Sequence, residues 1–196
     1  MEQQIDVLET FPHFLILYNR TLQSFGFAYV PFYDGKRQRD MYDREKAVAY
    51  ARRWALGRNP DFYDFSKIGG DCTNFASQVL YAGVGEMNNT PTFGWYYYGL
   101  NNRAPAWTGV NELYRFLITN KGPGPRAVET DIFGIEPGDI AQLDFNGDGI
   151  FDHSPVIVDV GRRTPRTVLV AAHSMDALDR PLRSYPYARV RFLHIV

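Results

Sequence analysis

Apolar positions repeat at helical spacing through the first two thirds of the chain and in short, strand-like runs after it. Thr10-Phe11-Pro12 opens a helix expected to reach Phe25. Asp43 is a natural N-cap for a second, Arg44 to Leu56, in which Ala47, Val48, Ala51, Trp54 and Ala55 fall on one face before Gly57. A third is expected to start at or near Cys72 and end near Gly83, because Phe75, Ala76, Val79 and Leu80 form a one-sided stripe, and Gly69-Gly70 supplies the turn into it. A fourth, about Thr108 to Thr119, would bury Val110, Leu113, Tyr114 and Leu117 and stop at Lys121-Gly-Pro-Gly-Pro125. Beyond Gly138, four stretches rich in Val, Ile and Leu read as strands: Asp139–Phe145, Ser154–Val160, Thr167–His173 and Arg189–Val196. Helices first and strands afterwards predict an α+β domain, with helices packed on a mostly antiparallel sheet.

A chain of 196 residues suits a single domain, with residues 1–40 as a helical N-terminal extension packed on it. No repeat or linker divides it. The net charge of -1 provides no general attraction to nucleic acid, and the longest apolar run, Phe14 to Tyr18, is far too short to span a bilayer. Residues 1–20 do not read as a secretory signal, so the expected compartment is the cytoplasm, or the cell wall if the chain is a trimmed piece.

The chain has one cysteine, and its setting draws attention to it. In Gly69-Gly-Asp-Cys-Thr-Asn-Phe75 a turn delivers the Cys72 thiol to the first turn of a helix, where free main-chain N–H groups and the helix dipole favour an anion. A thiolate there is expected to have a depressed pKa and to attack an acyl carbon, with nearby donors holding the oxyanion and Asp71, Thr73 and Asn74 supporting the site. Of four histidines, His13 and His194 lie in apolar helical and strand settings and read as structural. His153 heads a strand directly after the turn Asn146-Gly-Asp-Gly149, a position that holds a general base accurately. His173 closes the next strand and would come alongside His153 if the two strands pair. It or Asp176 would then orient the base.

Cys72, His153 and His173 are also atoms that suit zinc, but their spacing lacks the short intervals of familiar zinc sites, so neither metal nor cofactor is expected. Asp144, Asn146, Asp148, Gly149 and Asp152 are spaced like the first half of a calcium loop. Pro155 stands where the twelfth-position acid should be, so a tight turn that aims His153 is the expected role. Trp95, Tyr96 and Trp107 lie near glycines and prolines and are candidates to line a groove for a peptide or a saccharide-linked peptide.

The order Cys72, His153, His173 resembles the papain-like cysteine hydrolases, a layout shared with cell-wall hydrolases of the NlpC/P60 type. A nearer resemblance, over residues 41–195, is to the putative amidase domain family of mostly Gram-positive bacteria. It is carried by Tyr42-Asp-Arg44, Ala49-Tyr50-Ala51, Asn59-Pro60, Gly69 to Phe75 with Ser77-Gln78, Gly94-Trp-Tyr96, Trp107, Gly138-Asp139, Asp144 to His153, and Ala172-His173 with Asp176. The resemblance implies amide hydrolysis with Cys72 as nucleophile and His153 as base, acting on a peptide or peptidoglycan-derived amide through a thioester. The same machinery could pass the acyl group to an amine. A catalytically silent binding module for peptides or peptidoglycan is the alternative from another class.

Overall fold

The computed structural model describes residues 42–196. The helix expected at Thr10–Phe25, His13 within it and the N-terminal extension lie outside the described residues. The fold is α+β. Helices α1 (Arg44–Trp54), α2 (Cys72–Val84), α3 (Pro105–Thr108) and α4 (Val110–Thr119) precede most of the strands. A small ribbon, β1 (Tyr97–Gly99) with β2 (Asn102–Arg103), lies between α2 and α3. The main sheet contains β3 (Ala127–Thr130), β4 (Ile140–Asp144), β5 (Val156–Asp159), β6 (Leu169–Ala172), β7 (Ala177–Pro181) and β8 (Arg189–Ile195). Their order is β3-β8-β4-β5-β6-β7, with every neighbour antiparallel.

Local chemistry accounts for these elements. Asp43 accepts a hydrogen bond from the amide of Lys46 at 3.0 Å and starts α1, whose Ala47 and Ala51 are buried. The expected fourth helix is α4; a short additional helix, α3, precedes it with Pro105 in its first turn, and extended Gly109 separates the two. Strand β4 is buried along its whole length, because the sheet carries an apolar cluster on each face. Ile140, Val156, Val158, Ala171 and Leu193 pack with the helices, while Ala141, Leu143, Ile157, Val170 and Phe192 pack on the opposite face with Leu182 and Tyr185. This alternation decides which way each site residue points.

The ribbon strands β1 and β2 were not anticipated, nor were two strands of the main sheet, β3 and β7, which are its two edges. Their burial patterns are mostly exposed or intermediate, so their sequences carry no apolar alternation to read. Arg44 ties the start of α1 to the sheet through Asp139 at 2.7 Å, and His194 Nδ1 lies 2.9 Å from the same carboxylate, which gives His194 a structural role. Among the described residues no helix is long and apolar enough to cross a membrane.

Candidate active site

Gly69 and Gly70 have φ of 106° and 101°, a backbone region that L side chains avoid, and they turn the chain into α2. Asp71 occupies the N-cap position, but its side chain makes no cap hydrogen bond. Its carboxylate is drawn elsewhere. One oxygen accepts from the amide of Phe65 at 2.9 Å and from Asn74 Nδ2 at 2.8 Å, and the other lies 2.6 Å from His173 Nδ1. The N–H groups of the first turn of α2 thus keep no side-chain cap from Asp71, and they have no acceptor within the helix.

Cys72 begins that helix and is buried, 7% exposed. Its sulfur lies 3.7 Å from the Thr73 hydroxyl, which also donates to Ser154 Oγ at 3.3 Å. Burial pushes the thiol up. The Thr73 hydroxyl and the amides of Ser154 and Thr73 favour the anion without outweighing that burial. The depressed thiol expected from the helix terminus is therefore corrected: exclusion of water dominates over the main-chain donors.

His153 precedes the Ser154 amide that approaches the sulfur. The residue is held by an isolated bridge to Leu143, at the end of the turn organised by Asp144. The Asp144 carboxylate accepts from the amides of Gly147 at 2.6 Å and Gly149 at 2.9 Å, and Asp152 accepts from the amide of Phe145. These acids fold the turn with their own oxygens, and among the described residues no three His, Cys, Asp or Glu side chains gather as a metal site requires.

The imidazole of His153 lies between Phe145 and Tyr185, with ring centroids at 6.1 and 5.4 Å. Its Nε2 is buried with no hydrogen-bond partner among the described residues, and so is the Tyr185 hydroxyl. Burial, reinforced by the Arg180 cation, pushes this histidine down to about 4. At neutral pH it is an uncharged base. Cys72 acts electrostatically on Tyr185, the ring that packs against the His153 imidazole. A 3₁₀ turn at Leu182–Ser184 brings Tyr185 in.

The other expected orienters are placed elsewhere. His173 does not face His153. Besides Asp71, its Nε2 lies 2.8 Å from the Trp54 carbonyl, and its ring stacks on Phe75 at 4.1 Å. Strands β5 and β6 do pair, with Val156 opposite Ala171; continued two residues further, that register sets Ser154, not His153, across from His173. Successive side chains alternate faces, so the two histidines lie on opposite sides of the sheet. Asp176 is held by Arg58, with contacts of 3.0 and 2.9 Å. The groove role for two tryptophans is also corrected. Trp95 and Trp107 are both 0% exposed, packed 4.7 Å apart, with their indole N–H groups donating to Ser77 Oγ and Asn74 Oδ1. Their N–H partners on α2 let them enter the core, and only Tyr96 of the three is part-exposed.

The model of the family described as "Putative amidase domain" matches residues 41–196. The chain belongs to that family. Family membership points to a hydrolase of amide bonds. Two curated relatives come from Bacillus subtilis (strain 168). "Uncharacterized protein YhbB" is 34% identical over 165 residues, covering 79% of this chain and 50% of the relative. "Uncharacterized protein YjcM" is 26% identical over 148 residues, covering 71% of this chain and 32% of the relative. The chain thus spans about half and about a third of their lengths. No solved structure matches it.

Proposed function

We propose that this amidase domain works through a cysteine nucleophile in a papain-like arrangement. The observation that carries the reading is a sole cysteine at a helix N-terminus whose sulfur lies beside the amide of Ser154, the residue that follows His153, and the Nε2 of that histidine has no partner among the described residues. The resting pair is a neutral thiol and a neutral imidazole, so His153 acts as general base during attack rather than as half of a standing ion pair. The Cys72 proton passes to His153 as the sulfur–carbon bond forms, and first-turn amides of α2 stabilise the oxyanion. Collapse breaks the carbon–nitrogen bond, and His153 returns the proton to the leaving amine. His153 then takes a proton from water, whose oxygen attacks the thioester; the carbon–sulfur bond breaks, and the proton returns to the thiol. The substrate we assign is a peptide amide, including peptides derived from the cell wall.

The test is incubation of wild type and Cys72→Ala with peptide and muropeptide libraries, with products read by mass spectrometry. Wild-type cleavage that vanishes in Cys72→Ala, with hydroxylamine intercepting the thioester so that the acyl group leaves as a hydroxamate and the Cys72 thiol is freed, is the expected result. Equal cleavage by both proteins sinks the reading. The burial of the sulfur favours a second reading, a silent peptide-binding module. Retention of peptides without turnover by wild type would select it.

A further inference from the structure

The segment that brings Tyr185 to the site is unusual in charge. Residues 180–191, Arg-Pro-Leu-Arg-Ser-Tyr-Pro-Tyr-Ala-Arg-Val-Arg, hold four arginines and no acid, in a chain whose overall charge is -1. Arg44, Arg52, Arg58 and Arg115 each sit against a carboxylate. Among the described residues, no carboxylate makes an ion pair with Arg180, Arg183, Arg189 or Arg191.

Arg180 is the one nearest the chemistry. Its register partner is Val170, on the face of the sheet that carries Tyr185. Its guanidinium lies 3.8 Å from the centroid of the Tyr185 ring, and that ring is the neighbour of His153. Nε donates to Ser184 Oγ at 2.8 Å and one terminal nitrogen to the Ser184 carbonyl at 3.2 Å, which fixes the head over Tyr185, and no carboxylate meets it among the described residues. A part-exposed, pre-oriented guanidinium is a receptor for a planar oxyanion.

We propose that Arg180 binds a carboxylate of the substrate, so that the preferred substrate is an amide with a free carboxylate close to the scissile bond. This deepens the cysteine-amidase reading and rests on it. Arg183 and Arg189, both exposed, extend the favourable field without contacting the reacting amide.

Cys72 is the only thiol, so alkylation read by intact mass reports on the site without needing turnover. Iodoacetate and iodoacetamide present the same electrophile with and without a carboxylate. The ratio of their rates at Cys72, divided by the same ratio for free cysteine, is expected to be about tenfold in favour of the anion. It should fall to about 1 in Arg180→Gln and keep an intermediate value in Arg180→Lys. Equal normalised ratios in wild type and Arg180→Gln overturn the proposal, as does a Cys72 that neither reagent reaches. A second arm uses peptides ending in a carboxylate or a carboxamide next to the scissile bond. Cleavage that needs Cys72 but ignores both the carboxylate and Arg180 removes the anion site and leaves the amidase. An Arg180-dependent alkylation ratio, with cleavage indifferent to Cys72→Ala, keeps the anion site and removes the cysteine mechanism.

Discussion

The two buried histidines of the sheet are held in opposite ways. His173 has a carboxylate on one nitrogen, a carbonyl on the other and a phenyl ring beneath it. His153 is packed by two aromatic rings, with a buried nitrogen that bonds nothing among the described residues. A ring with both nitrogens engaged fixes structure: it turns Asp71 away from the helix end and leaves the first-turn amides of α2 open. A ring held only by packing keeps its lone pair for a proton in transit. The more elaborate hydrogen-bond network therefore belongs to the scaffold, and the sparsely bonded histidine to the proposed chemistry.

Exchanging each ring for phenylalanine is the most direct way to break this comparison. His153→Phe should lower kcat/KM on the order of 10³-fold while changing unfolding free energy by less than about 1.5 kcal/mol, because the site already accepts an aromatic ring. Urea unfolding beside an activity assay checks both halves; a large stability loss would mean that His153 is itself a scaffold residue. His173→Phe should do the reverse. It strips the buried Asp71 carboxylate of its nearest partner and orphans the Trp54 carbonyl, a loss of about 3–4 kcal/mol in urea unfolding. Little or no destabilisation would remove its structural assignment.

The smallest effect sharpens the contrast through pH. The folded-state value for His153 is about 4, against 6.5 for the exposed imidazole of the unfolded chain, so the unfolded chain binds its proton first. This group's contribution is intact above pH 6.5, and stability is lost as pH falls from there towards 4. The loss amounts to about 2–3 kcal/mol. Comparing wild type with His153→Phe by thermal or urea unfolding at pH 7, 5.5 and 4 isolates that contribution, which should be missing in the variant. Identical pH dependence would show that the ring is not buried uncharged.

Helical stripes at α1, α2 and α4 and apolar runs at β4, β5, β6 and β8 were readable along the chain, since each buries a face broad enough to leave a period in the residues. Edge strands β3 and β7 were not, because an edge is defined by the hydrogen bonds of its one neighbour rather than by composition. The tryptophans misled for a related reason: Gly and Pro nearby marked loops, but partners on α2 drew the rings into the core.

By itself the sequence determined the α+β class, the cysteine at a helix start and the histidine at a strand head, because helix entry, turn chemistry and alternation are local properties. Only the tertiary structure decided how those groups are set. Whether a sulfur is shielded from water, which side of a pleat a ring faces, and which arginine lacks a carboxylate all depend on residues distant in the chain. Cys72 meets Ser154, Asp71 meets His173, and Arg180 meets Tyr185 through packing of the helices, the sheet and the turn before β8. Electrostatics and burial are sums over neighbours in space, and the folded chain alone specifies those neighbours.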